Sequence, residues 1–316
     1  MRSSIQHYIA SCSSCARHNI LRTKPPGHLH SIDPPSGVFQ LLHLDFWGPV
    51  LTPSASGNRY VIVLTDNLSK YVIAQALPDC TARSAAQFLI DRFILLHGAP
   101  ERLLTDNGTH FNNTLLRAVT SSMQIPHTFS VAYHPQTNGQ VERFNATFSA
   151  QLAKYCHPDR HDWDLYLPSI VYAYNTSVHS TTQLMPYEVA FGRRPKSPFD
   201  AASPTINLPP LHSFYPYLQQ TRRLLLSAAR RNILYHQSQW QQRYNRNRRN
   251  PSYHVGDLIY VHVTGGRTKL TSRRSGPYPI LDISGTQNYL VQDPSSGYTW
   301  WYHVSQLHPF IERLSP

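Results

Sequence analysis

LLHLDFWG (Leu41–Gly48), RYVIVLTD (Arg59–Asp66) and KYVIAQAL (Lys70–Leu77) are the stretches that decide the fold. The middle one is apolar without a break from Val61 to Leu64, as in a strand buried on both faces. The first stops at Gly-Pro, and the turn NLS joins the other two, so the three predict successive strands. Downstream, ARSAAQFLIDRFILLHG (Ala82–Gly98) sets Ala86, Leu89, Ile90, Phe93 and Leu96 on one helical face, with Gly98 to close the end. ERLLTD (Glu101–Asp106) predicts a short strand, Asn112–Met123 a polar helix and IPHTFSV (Ile125–Val131) another extended piece. HPQTNGQ (His134–Gln140) is a loop. The helix after it runs to about Tyr155 with Val141, Phe144, Phe148, Leu152 and Tyr155 as its apolar stripe. Strands first, then strands alternating with helices, predict a layered α/β domain.

The flanks read differently. Upstream lies a short polar segment ending in KPPGHLHSIDPPSG (Lys24–Gly37). Downstream, a Pro-rich linker from Arg194 to Pro210 leads into a long, mostly polar helix, His212–Asn250, on which Leu218, Leu225 and Leu226 could face a core. From Tyr253 the period shortens. VGDLIYVHV, PYPILDI, NYLVQD and YTWWYHV are short strands between Gly, Asn and Ser turns and predict a small β-barrel. Trp300, Trp301 and Tyr302 then read as barrel core and rim.

The chain has 316 residues, 29 of them basic and 17 acidic. Residues 201–316 hold 13 basic and 4 acidic residues, whereas residues 1–200 are nearly balanced at 16 and 13. A basic unit attached to a neutral one points to a polyanion. Only five of the 29 basic residues are Lys, and Arg, which grips phosphate with two hydrogen bonds, favours nucleic acid. No run approaches a membrane span, no apolar leader opens the chain, and Cys12, Cys15, Cys80 and Cys156 are too few for a disulfide scaffold.

Three acids fall outside the apolar pattern: Asp45 inside a strand, Asp106 at a strand end before Asn107-Gly108, and Glu142 on the polar side of a helix start. Three carboxylates converging on one spot would repel each other unless they hold divalent cations, and two such cations can drive phosphodiester chemistry. Taken singly, each acid also has a structural reading: a satisfied strand-end acid, an Asp-Asn-Gly turn, a favourable charge at a helix N-terminus. Asp66 also ends an apolar strand, but turn-forming Asn67 follows it and no chemistry is assigned to it. Cys12 and Cys15 form a C-x-x-C, which alone is half a zinc site, a redox pair or chance.

LHLDFWGP, LLTDNGTHF and YHPQTNGQVERFN, in that order, resemble the catalytic core of retroviral and Ty3/Gypsy-type retrotransposon integrases. Asp106 and Glu142 are separated by 35 residues, the family's D,D-35-E spacing. The resemblance implies an RNase H-like core, a mixed five-stranded sheet with helices, in which Asp45, Asp106 and Glu142 bind two Mg²⁺ or Mn²⁺ ions. It implies 3′-end processing and strand transfer on DNA, a homo-oligomer on DNA, no membrane partner and a nuclear location. Asn107, His134, Gln136, Asn138 and Arg143 would face the DNA. YIASCSSCARHN resembles the second half of the family's HHCC zinc module, so Cys12 and Cys15 would form an incomplete zinc site needing His7, His18 or another chain. YHVGDLIYVHV with SGPYPILDI resembles the GPY/F module, an SH3-like barrel. Arg267, Lys269, Arg273 and Arg274 on its loop, and Arg222, Arg223, Arg230, Arg231, Arg246, Arg248 and Arg249 on the preceding helix, would contact phosphates.

The organisation expected is a remnant zinc module with linker (1–37), the core (38–195), a Pro-rich linker (196–211), the basic helix (212–250) and the SH3-like barrel (251–312). The competing readings are a catalytically inactive or domesticated DNA-binding derivative, an interaction protein acting through its barrel or long helix, and a nuclease that cuts without joining.

Overall fold

The computed structural model describes residues 5, 8–9, 11–20, 24–29, 31–129, 145, 147–157, 159–196, 211–263, 270–293 and 296–312. The chain divides into two units, residues 31–239 and residues 1–30 with 240–316. Helix α1 (Ser13–His18) belongs to the latter.

In the unit 31–239, β1 (Leu41–Trp47), β2 (Tyr60–Asp66) and β3 (Val72–Leu77) form an antiparallel meander. After helix α2 (Ala82–Leu89), β4 (Arg102–Thr105) returns beside β1 in parallel. Helix α3 (Thr114–Ser122) then leads to β5 (His127–Phe129), parallel to β4. The sheet order is β3-β2-β1-β4-β5, the mixed five-stranded sheet expected. Side chains alternate along a strand, so the apolar run of β2 serves two cores. Ile62 and Leu64 pack with Leu42, Leu44, Leu89, Phe93 and Leu116 on one face. Val61 and Val63 pack with Phe148 and Leu152 of helix α4 (residues 147–155), and with Trp163, Leu167 and Ile170 of α5 (Trp163–Thr176), on the other. Asn175 of α5 seals the outer edge of the sheet: its side chain accepts from Val72 N at 2.9 Å and donates to Val72 O at 2.8 Å. Asp66 is buried at the β2–β3 turn, where it accepts from Phe39 N, Ser69 N and the Ser69 hydroxyl. It is a turn organiser, and burial raises its carboxyl above the usual range.

Two sequence expectations here need correction. The helix from Ala82 is not one α-helix, because a π-turn spans Ile90–Ile94 before a last α-turn, Leu95–His97. The wider turn rotates the apolar face, so Phe93 stays buried while Leu96 is 67% exposed. Tyr155, placed on the apolar stripe, is 60% exposed, because the residues that meet the core are Phe148, Leu152 and Cys156, four apart, and Tyr155 lies beside that line. Val141 and Phe144 of that stripe lie outside the described residues.

Helix α6 (Pro186–Phe191) and the helix α7 (Leu211–Asn245) complete this unit, with α7 passing to the other unit at Trp240. Leu226, Ala229 and Ile233, one face of α7, pack with Leu68 and Val189. The helix is therefore not polar all round; the apolar face was hidden in sequence because Ala229 and Ile233 sit among arginines. It ends at Asn245, five residues before the expected Asn250, and residues 246–250 turn to pair with the segment at Pro26.

In the other unit, β6 (Leu258–His262), β7 (Arg274–Ser284), β8 (Asn288–Gln292), β9 (Thr299–His303) and β10 (Leu307–Pro309) form an antiparallel sheet of order β10-β6-β7-β8-β9. It fits an SH3-like module. Among the described residues β9 and β10 do not pair, so the ladder is not closed. Ile259, Val261, Ile280, Tyr289 and Val291 fill its interior. Trp300 and Trp301 are 48% and 44% exposed, which makes them rim rather than core. Gly276 is required here: its φ is +116°, and a Cβ would meet Ile259 O at 2.8 Å.

Candidate active site

The parallel pairing of β1 with β4 runs from Leu41↔Arg102 to Leu44↔Thr105. One further step along both strands is Asp45 and Asp106, so two acids 61 positions apart in sequence become neighbours at the strand ends. Both are half-buried. Asp45 Oδ1 accepts from Phe46 N at 2.9 Å, and its Oδ2 accepts from Asn145 Nδ2 at 3.3 Å. Asp106 Oδ1 accepts from Gly108 N at 3.0 Å and stands 3.6 Å from His110 Nε2. Phe111, fully buried, anchors the segment, and the His110 ring packs edge-on against Phe46 and Phe111 at 5.2 and 4.4 Å. Gly108 is needed for closeness: a Cβ there would lie 2.5 Å from His110 Cε1 and 3.0 Å from Asp106 Oδ1. Behind Asp106, the Thr105 hydroxyl donates to Asp106 O at 2.8 Å and meets His127 Nε2 at 2.9 Å.

Glu142, His134, Gln136, Asn138 and Arg143 lie outside the described residues, as do Arg267 and Lys269. Among the described residues no three of His, Cys, Asp and Glu gather as for a metal ion. The donor chemistry still fits one. Two carboxylates on adjacent strands are hard oxygen donors of the kind Mg²⁺ and Mn²⁺ take. Beside them Asn145 holds a buried Oδ1 with no hydrogen-bond partner.

The contacts of His110 with Asp106 and of Asn145 with Asp45 were not singled out from sequence: His110 lies in the stretch Asn107–Phe111 that the resemblance sets beside the site, whereas Asn145 and Asp45 are 100 residues apart in sequence. A cavity of about 840 Å³ between α4 and α5, lined by Phe148, Tyr155, Tyr166 and Ile170, contains neither carboxylate.

Of the residues assigned to DNA, Asn107 is exposed and its side chain accepts from Asn112 Nδ2 at 2.8 Å. Arg222, Arg223, Arg230, Arg231 and Arg246 are exposed. Arg223, Arg230 and Arg231 share an open groove with Ser36 and Leu226. Arg248 lies 4.0 Å over the Tyr244 ring and donates to Pro26 O, while Arg249 donates to Lys24 O, so both also tie down the upstream segment. Arg273 is half-buried.

Arg274 corrects the sequence reading. It is 4% exposed, and its guanidinium donates to Ala16 O and to Asn19 O, the carbonyls that close α1. With two of its donors on backbone and almost no exposed surface, this guanidinium is poorly placed to meet a phosphate. The loop position concealed this because its partners lie more than 250 residues away. Cys12 precedes α1 and Cys15 lies within it. The hydrogen bond from Cys12 is the main cause that raises the Cys15 thiol, and His18 Nδ1 is engaged with Ser14 O at 2.9 Å.

The integrase core domain family matches residues 35–135. The Retrovirus-related Pol polyprotein from transposon 412 of Drosophila melanogaster is 29% identical over 257 residues, which is 80% of this chain and 20% of that protein. The Transposon Tf2-3 polyprotein of Schizosaccharomyces pombe is 26% identical over 320 residues, 98% of this chain and 23% of that protein. The chain thus spans about a fifth of the length of these curated relatives. The fold matches a chain of the simian T-cell lymphotropic virus intasome, in complex with PP2A regulatory subunit B56 gamma. The TM-score is 0.62 and the identity 16%, over 98% of this chain and 91% of that one. Residues 35–135 thus match the integrase core domain family, and the chain is similar over most of its length to two retrotransposon polyproteins and shares its fold with a retroviral intasome chain.

Proposed function

We propose that the chain performs metal-dependent phosphoryl transfer on DNA, trimming the 3′ ends of a retroelement's DNA and joining them to a target duplex. The observation that carries this reading is the β1–β4 register that makes Asp45 and Asp106 neighbours. Asp45, Asp106 and Glu142 are the residues that would hold two Mg²⁺ or Mn²⁺ ions. Held there, the ions would supply positive charge at the reacting phosphodiester. The chain's own part is positioning. Gly108 N–H fixes Asp106, and the Asn145 amide steadies Asp45. Both reactions are in-line displacements at phosphorus, by water first and by the new 3′-OH second, with no protein nucleophile. Exposed arginines of α7 neutralise phosphates of the DNA held alongside.

In this reading residues 38–195 do the chemistry, and the basic helix (212–250) and SH3-like module (251–312) hold DNA. The chain works as a homo-oligomer on DNA in the nucleus. The name of the intasome neighbour supports the DNA assembly. Cys12 and Cys15 would supply two thiolates of a zinc site completed by other ligands. The test is strand transfer by the purified chain, with a duplex ending in the element's terminal sequence, a plasmid target and Mg²⁺ or Mn²⁺. Asp106→Asn is expected to remove joined product while DNA binding persists. Normal joining by Asp106→Asn would make the carboxylate assignment wrong.

A further inference from the structure

The inner face of the SH3-like sheet opens at one end into a cavity of about 290 Å³. Val261 and Val291, 3% and 1% exposed, form its base, and Tyr278, Trp300, Tyr302 and Asp293 line it above them. Register explains the convergence. Trp300 pairs with Val291 and Tyr302 with Tyr289, so the two β9 aromatics, two positions apart, share the face of the core. Trp301 pairs with Leu290 and points the other way. Tyr278 joins from β7, its hydroxyl tied to Ser275 Oγ. Asp293 is held by a turn in which its N–H donates to Tyr298 O at 2.9 Å and its carbonyl accepts from Gly297 N at 2.8 Å. The Tyr302 hydroxyl is raised by burial first, then by Tyr278 and Asp293, which sets those two groups close to it.

This lining does not suit DNA. Ring faces and a carboxylate repel phosphate, and Asp293 is one of only four acids in residues 201–316, against 13 basic residues. Nor is it ordinary core, because Trp300 is half-exposed where Tyr289 is 2% exposed. Aromatic faces around an apolar base with a carboxylate at hand attract a cation that gives up its water easily. A bare ammonium is strongly hydrated, whereas methyl groups weaken that hydration and add apolar surface for the rings. A mouth of a β-barrel-like module is also a common place for a small site. We propose that this cavity binds a methylated ammonium on an aliphatic stem, the side chain of a methylated lysine on a partner protein. The integrase would then hold a protein contact separate from its DNA chemistry.

The test titrates the full chain with Nα-acetyl-lysinamide and its Nε-mono-, di- and trimethyl forms, following tryptophan fluorescence and NMR shifts of the Trp300 and Trp301 indoles. At least one methylated form is expected to bind about tenfold more tightly than the unmodified amine. Trp300→Ala and Asp293→Asn should abolish that preference, and Trp301→Ala should keep it. Trp300→Phe, which retains a ring, should keep part of it and controls for misfolding. Equal binding of the methylated and unmodified forms would overturn the proposal. So would equal losses in Trp300→Ala and Trp301→Ala, or full displacement of the ligand by duplex DNA.

Discussion

Gly108→Ala adds one carbon at the most crowded point beside Asp106. The new Cβ would sit 2.5 Å from His110 Cε1, 2.7 Å from His110 Nε2 and 3.0 Å from Asp106 Oδ1, where ordinary contacts lie at about 3.4–4 Å. Something must move by roughly 0.5–1 Å. His110 packs edge-on against the stacked rings of Phe46 and Phe111, so swinging it costs ring contacts, and the Asp106 carboxylate would be pushed as well. Overpacking of this kind costs about 1–3 kcal/mol, and in a unit of this size each kcal/mol lowers Tm by about 2–4 °C. The effect on chemistry should be larger, since displacing a positioned group by about 1 Å can cost on the order of 10²-fold in rate. We expect strand transfer to fall about 10–100-fold while the chain stays folded. Adding His110→Ala opens the space that the new methyl needs. The double variant should therefore join DNA faster than Gly108→Ala alone, a positive coupling between touching residues. Wild-type rate and Tm in Gly108→Ala would refute the crowding argument. A double variant no faster than the single one would refute the role given to His110.

Replacing Arg223, Arg230 and Arg231 together by Ala should weaken DNA binding at low salt and reduce the slope of log affinity against log salt by about 2–3, measured by fluorescence anisotropy on a duplex. An unchanged slope would remove these arginines from the phosphate surface. Arg274→Ala should instead leave that slope alone and lower stability by about 2–3 kcal/mol in urea melts, because the hydrogen bonds of its buried guanidinium to the carbonyls of Ala16 and Asn19 are lost. His127 is held below its ordinary value near 6.5, by burial first and by Arg117 second. The folded form therefore resists protonation, and stability should fall as pH drops below about 6.5 towards the lower folded value. Urea midpoints from pH 7.5 to 5.5 should decline less in His127→Gln than in wild type, and equal declines would assign the effect elsewhere.

The apolar run Val61–Leu64 and the flanking strands were legible in sequence because alternation and burial on two faces leave a local signature. The resemblance carried by LHLDFWGP, LLTDNGTHF and YHPQTNGQVERFN pointed to integrases, and residues 35–135 match the integrase core domain. It also pointed to Asp45 and Asp106, which pairing between distant strands then made neighbours. The π-turn at Ile90–Ile94 was not legible, since nothing in a 3.6-residue pattern marks one extra residue per turn. Arg274 was read as a phosphate contact because charge on a loop looks exposed until its partner is known, and here the partners are the carbonyls of a helix at the other end of the chain. Trp300 and Trp301 are adjacent, identical and equally apolar in sequence. Only strand pairing sends one into an aromatic cavity and the other to the opposite face. Composition and local periodicity determined the elements and the basic half, and the quoted motifs carried the family resemblance. Tertiary structure alone decided which charges face solvent, which are spent on backbone, and which rings meet, because those outcomes depend on partners that the chain brings together only by folding.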